Sequence, residues 1–213
     1  MLLSELVYQS VKNVEYRDDI SFTYNAFKTT DFSVNEDYAL YILNVFTPIN
    51  EAIARLNDLE RIPYKLEGVE IKEHKISLPK DCKMIMNVGI IYSNGETATF
   101  PYARLGRDKI LVKGIYNSKN AFVEYKEDIK PFSAIDFCYT NGIEKDIDLL
   151  DYGIDNGMCQ YIIEYVQGKL YEPTDVDVAN MHLTRAESYF SNIPPVESAF
   201  AQQTMVKTFS VGE

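Results

Sequence analysis

The sequence has no tryptophan, two histidines, three cysteines and ten glycines in 213 residues, and each shortage narrows what the chain can do. His74 and His182 stand alone, neither at HxxxH nor at HxxE spacing, so a histidine metal site or catalytic dyad has to be assembled from distant pieces. Cys82, Cys138 and Cys159 are odd in number, widely separated and without CxxC spacing. That pattern excludes a zinc ribbon or a paired disulfide framework, and the thiols read as reduced, in keeping with synthesis in a cytosol. The glycines are scattered, and neither GxxxxGK[ST] nor GxGxxG occurs, which removes the phosphate cradles of nucleotide enzymes. No run of about 18 apolar residues is present, and the opening MLLSELVYQS lacks the basic start and long apolar centre of a signal peptide. Neither membrane association nor export by that route is expected.

What is present is an ordinary globular composition, 46% hydrophobic and 25% charged, enough for one sizeable core or for a helical core with a satellite sheet. The large apolar side chains are mainly 16 tyrosines and 11 phenylalanines, so much of the buried area carries a hydroxyl that needs a partner. The formal net charge of −11 is unevenly spread. Residues 64–126 hold 11 basic and 7 acidic residues, whereas residues 143–177 hold 2 basic and 9 acidic ones. Such a split marks solvated faces, subunits that meet through opposite charge, or an acidic channel wall that repels nucleic acid. The basic middle, with Lys65, Lys72, Lys75, Lys80, Lys83, Arg104, Arg107, Lys109 and Lys113, is too dilute for a nucleic-acid stripe.

Along the chain, Leu3, Leu6, Val7, Val11 and Val14 recur at helical spacing, with Ser4 as the expected N-cap. Residues 16–31 show no period. A second helix, capped by Ser33 or Asn35, carries the stripe Tyr38, Tyr41, Ile42, Val45, Phe46, Ile49, Ile53 and Leu56, and Pro48 should kink or restart it. From residue 64 to about 125 the pattern becomes short β-like runs, YKLEGVEI, HKISL, MIMNVGIIYS, ETATF, KILVKGIY and AFVEYK. Asn94-Gly95 predicts a two-residue type I′ hairpin. These runs predict one small, mostly antiparallel sheet set between helical regions, an α+β arrangement rather than a doubly wound one.

Helical period returns with Ile147, Leu150, Ile154, Met158, Ile162 and Leu170, and Gly153 and Gly157 predict a break or a close helix contact. A last helix, capped by Thr174, turns Val178, Ala179, Leu183, Ala186, Tyr189 and Phe190 inward and stops before Pro194-Pro195. The expected organisation is a helical bundle from residues 1–63 and 127–193, an inserted β-rich region 64–126, and an extended C-terminal arm 194–213. The arm holds Val196, Phe200, Met205, Val206, Phe209 and Val211; such a segment either folds back on its own core or docks on another subunit. Asp146, Asp148, Asp151 and Asp155 superficially resemble a calcium loop, but Asp151 stands where its glycine belongs and Gly157 where its glutamate belongs. They read as a solvated helix face.

Two stretches carry a resemblance. HKISLPKDCKMIMNVGIIYSNG resembles the LP-x-D segment and following apolar strand, and CQYIIEYVQGKLYEPTDVDVANMHLTRAESYF the helical hairpin, of head-to-tail connector (adaptor) ring proteins of short-tailed bacteriophages. Size and tyrosine content fit especially the ring proteins of crAss-like phages. The resemblance implies a virion structural protein assembled in the host bacterial cytoplasm, without enzymatic activity or cofactor. It implies a dodecameric ring of copies of the chain beneath the portal protein, joined to the next tail ring protein, with genomic DNA passing through the lumen without specific binding. In that frame the residues from Ile193 onward become a portal-docking arm, and Asp146, Asp148, Asp151 and Asp155 a lumen wall. Tail completion or ligand binding through exposed tyrosines is the second expectation, and a hydrolase with a distributed carboxylate site the third.

Overall fold

The computed structural model describes residues 1–12, 14, 36–127, 129–133 and 146–198, and for residues 36–43 the helical backbone alone. Helices and antiparallel sheets both contribute, so the fold is α+β. The chain divides into two compact units, one from residues 1–62 and 130–195, the other from residues 63–129 and 196–213. No described helix is long and apolar enough to cross a membrane.

The first unit contains the four described α-helices. Helix α1 (Leu3–Val11) buries Leu3, Leu6, Val7 and Val11. Helix α2 (Glu36–Asp58) buries Val45, Phe46, Ile49, Ile53 and Leu56, the expected stripe as far as its side chains are described. It does not restart at Pro48. Pro48 removes one backbone hydrogen bond, but apolar residues on both sides of it are buried, and that packing outweighs one lost bond. A 3-10 helix (Leu149–Tyr152) ends at Gly153, which has φ of 72°. Helix α3 (Asn156–Tyr171) then begins, so the expected break is there. The close helix contact falls elsewhere: α3 and α4 (Val176–Asn192) meet at Gly168, where a Cβ would lie 2.7 Å from Leu183. Helix α4 buries Ala179, His182, Ala186 and Phe190, whereas Tyr189 faces outward, contrary to the sequence reading.

Two expected caps are corrected. Leu2 occupies the N-cap of α1 without a side-chain bond; Ser4 lies inside the first turn, and its cap comes from elsewhere in the chain. At α4 the cap is Asp175, which accepts from Asp177 N and Val178 N at 3.1 Å, while Thr174 donates to Tyr171 O at 3.3 Å. A carboxylate offers the helix start both an acceptor and a charge that suits the dipole. Arg55 on α2 ties α4 to it, donating two bonds to Glu187 at 2.5 and 2.9 Å and lying 4.4 Å from the Phe190 ring centroid. Glu187 is held below the ordinary carboxylate range by Arg55.

The described residues of the second unit form seven strands: β1 (Lys65–Ile71), β2 (Lys75–Ser77), β3 (Cys82–Ile91), β4 (Thr97–Thr99), β5 (Tyr102–Arg104), β6 (Lys109–Val112) and β7 (Ser118–Glu127). They form two sheets rather than the one expected, four strands in the order β1-β7-β3-β4 and three in the order β2-β6-β5, with every pairing antiparallel. Pro101, which has no N–H for a ladder, separates β4 from β5 at the change of sheet. Ile76, Ile110 and Val112 from one sheet pack with Ile71, Ile85, Val88, Val123 and Tyr125 from the other. A single sheet of strands this short would leave that apolar face in water.

Candidate functional site

The turns of the second unit reverse what their residues suggest. At Asn94-Gly95 only Gly95 has positive φ, 82°. Gly95 N donates to Tyr92 O and Tyr92 N to Glu96 O, which makes a three-residue loop in place of the expected two-residue turn. The two-residue hairpin with both central residues left-handed lies between β1 and β2. Its centre is Glu73 (φ 50°) and His74 (φ 65°), and Lys72 and Lys75 exchange backbone bonds of 2.9 and 2.8 Å across it. Neither residue is one that tolerates this region cheaply; each costs about 1–2 kcal/mol. The surroundings hold them there. Glu73 N donates to Asn117 Oδ1 at 2.9 Å, His74 N donates to Tyr116 O at 2.9 Å, and His74 Nδ1 lies 2.6 Å from Ile115 O. The Tyr116 ring meets the His74 ring edge-on, with centroids 5.1 Å apart.

This strained turn lines an open groove of about 770 Å³ within the second unit. Glu70, Lys72, Lys75, Lys109 and Tyr116 share its wall. Lys72 is paired with Glu70 at 2.7 Å; among the described residues Lys75 and Lys109 have no ion-pair partner. Tyr116 is 57% exposed. Register places Ser77 opposite Lys109 and Lys75 opposite Leu111, so the two free cations are diagonal neighbours on one sheet face. The arrangement suits an acidic partner with a flat or aromatic element to lie against the ring. Replacing Glu73 by asparagine, which accepts positive φ, is expected to stabilise the chain by about 0.5–1 kcal/mol. Thermal unfolding followed by circular dichroism checks this.

A second polar cluster ties strand ends together. Lys65 on β1 lies 2.8 Å from Glu127 and 3.6 Å from Asp81, and the Tyr125 hydroxyl is 3.1 Å from Asp81 and 3.2 Å from Glu67. Its single hydrogen serves one carboxylate at a time. Burial pushes the Glu127 carboxyl up, with Lys65 opposing and Asp81 reinforcing the rise. Burial also raises Asp81, but its own backbone N–H and the Glu127 and Tyr125 hydrogen bonds win and hold it low.

The four aspartates do not form one helix face. Asp146 Oδ1 accepts from Ser4 N at 3.0 Å and from Ile147 N at 3.0 Å, and Oδ2 accepts from Ser4 Oγ. Asp148 caps the 3-10 helix through Leu150 N at 3.1 Å. Asp151 is exposed within that helix, and Asp155 caps α3 through Met158 N at 2.9 Å. Short acids after the last apolar position of one helix and before the next are cap signals, a reading the helical periodicity had obscured.

Of the arm, Val196 is described and half-buried, whereas Phe200, Met205, Val206, Phe209 and Val211 lie outside the described residues. The beginning of the segment folds back on its own chain. Ser198 Oγ donates to Glu124 Oε2 on β7 at 2.6 Å and accepts from Asn87 Nδ2 on β3 at 2.7 Å.

The histidines have partners no spacing rule would find. His182 Nδ1 lies 2.7 Å from Glu164 Oε2 across the α3–α4 pair, with the Tyr171 ring stacked on it at 5.6 Å. Cys159 is buried and free, its thiol pushed up to about 11 by burial, an inert core filler. Cys82 is half-buried and free, and Cys138 lies outside the described residues. Among the described residues no group of three or more His, Cys, Asp or Glu side chains is placed to hold a metal. The chain matches no known protein-family model and no curated protein.

Proposed function

We propose that the chain is a non-enzymatic subunit of a phage head-to-tail connector, a ring beneath the portal that joins capsid to tail and surrounds the DNA channel. The supporting observation is that residues 1–62 and 130–195 share one compact unit although a β-rich region of the chain separates them. In chain order the β-rich stretch thus interrupts the helical unit, and a segment rich in apolar residues follows Pro195. That is the element order the resemblance implies. In this reading the arm, Val196 with Phe200, Met205, Val206, Phe209 and Val211, docks on the portal. Asp148, Asp151 and Asp155, all exposed, present the acidic wall, where like charge keeps passing DNA from sticking. Asp146 is committed to Ser4 and contributes little there.

The experiment is co-purification of the full chain, and of a chain ending at Ser198, with the cognate portal, followed by particle imaging. The full chain is expected to decorate the portal as a ring and the truncated chain to lose about tenfold or more in affinity, the scale of a lost apolar anchor. Absence of portal binding by the full chain would sink the reading. The groove beside Tyr116 favours the second reading, a ligand-binding or tail-completion module. Ligand binding that survives removal of residues 199–213, with no portal association, decides for it.

A further inference from the structure

The two units differ sharply in charge. Residues 1–62 and 130–195 contain 21 acidic and 9 basic residues, a net of −12, whereas residues 63–129 and 196–213 contain 11 acidic and 12 basic residues, a net of +1. The helical unit therefore carries all of the chain's negative excess. The groove of the sheet unit holds Lys75 and Lys109 without ion-pair partners among the described residues, next to the exposed Tyr116 and over the strained Glu73-His74 turn. Strain of this kind persists only where the surroundings over-determine it, and it clusters at working surfaces.

We propose that this groove is the basic half of a contact with the acidic helical unit of a second copy of the chain. The proposal rests on the ring reading and specifies how neighbouring subunits meet. Each copy carries a basic groove on one unit and a net negative charge on the other, so the contact joins unlike surfaces, the head-to-tail kind that closes into a ring when the rotation permits. Desolvating two free ammonium groups against carboxylates steers the approach and fixes register more than it adds affinity. Nucleic acid is the poorer occupant. Glu70 and Glu73 interrupt the lysines, Lys72 is already neutralised, and a polyanion would meet the net −12 of the helical unit.

The test is sedimentation velocity of the full chain at ~0.05 M and ~0.5 M salt, which bracket strong and weak screening. The wild type is compared with Lys75→Glu/Lys109→Glu, with Asp151→Lys/Asp177→Lys, and with an equal mixture of the two variants. Wild type is expected to self-associate at low salt and dissociate at high salt. Each reversal alone should weaken association by about tenfold or more, and the mixture should restore it. Circular dichroism shows whether each variant is folded, and the mixture's recovery cannot come from misfolded chains. A wild type that is monomeric at low salt, or association indifferent to salt and to both reversals, overturns the proposal. So does a labelled DNA oligonucleotide whose binding is lost in Lys75→Glu/Lys109→Glu while self-association is unchanged. Portal co-purification of the same proteins separates the two readings. Reversal variants that no longer self-associate but still bind portal through the arm support both. A wild type that associates in a salt-dependent way but ignores portal keeps the contact and sinks the connector.

Discussion

Replacing Asp146 by alanine is expected to destabilise the helical unit by about 2–4 kcal/mol. Ser4 is fully buried. Its N–H and its hydroxyl both donate to the Asp146 carboxylate, which also accepts from Ile147 N. Helix α1 has no side-chain cap of its own at Leu2, so the carboxylate satisfies a first-turn donor that nothing local reaches and adds a negative charge at the positive end of the dipole. Alanine removes the acceptor that the N–H and the hydroxyl of buried Ser4 share. Asparagine keeps one acceptor oxygen and is expected to lose about 1 kcal/mol. Asp151→Ala, at an exposed position, should stay within about 0.5 kcal/mol of wild type. Denaturant unfolding monitored at the helical signal measures all three. Equal effects at Asp146 and Asp151 would show that the cap carries no special weight.

Adding a single methyl group at Gly89 is expected to cost about 3 kcal/mol, at the upper end for overpacking. A Cβ there would lie 2.4 Å from the carbonyl oxygen of Ala98 and 2.5 Å from Cζ of Phe122. The ring can shift, but the Ala98 carbonyl belongs to β4, whose register on β3 is set by the pairs Gly89–Thr99, Ile90–Ala98 and Ile91–Thr97. Gly68 on the edge strand β1 is the control. A Cβ at Gly68 meets nothing within 4 Å, so Gly68→Ala should stabilise by about 0.5 kcal/mol through the unfolded state. Combining Gly89→Ala with Phe122→Leu should recover only the part of the loss that comes from the ring. Full recovery would show that the contact with the Ala98 carbonyl is tolerated and that β4 can shift to accept it.

These two positions show where sequence reading stops. Gly89 and Gly68 look alike within apolar runs, and only the strands on either side make one indispensable and the other replaceable. Gly153 and Gly157 drew the expectation of a break or a close helix contact; the break is there, at the end of the 3-10 helix, whereas the close contact is at Gly168. Asn94-Gly95 and Glu73-His74 exchange roles in the same way. Turn chemistry states what is cheap locally, whereas the bonds to Asn117, Tyr116 and Ile115 hold the costly turn in place. Nor could any spacing rule have assembled the groove, because its wall comes from strands separated by long stretches of chain.

The sequence by itself determined the α+β class, the buried stripe of α1 from Leu3 to Val11 and that of α2 from Val45 onward, the break at Gly153 and most of the strands, because periodicity and turn propensity are local and act within a few residues. It missed β5, a three-residue strand whose side chains are all exposed and therefore show no alternation. Only the tertiary structure decided that there are two sheets, that Asp146 serves a serine 142 positions away, that His182 faces Glu164, and that Lys75 and Lys109 share a face while Lys72 is neutralised. Each of these is a pairing between segments distant in sequence. Its energy comes from desolvation and from satisfying buried donors, quantities that exist only once the segments have met.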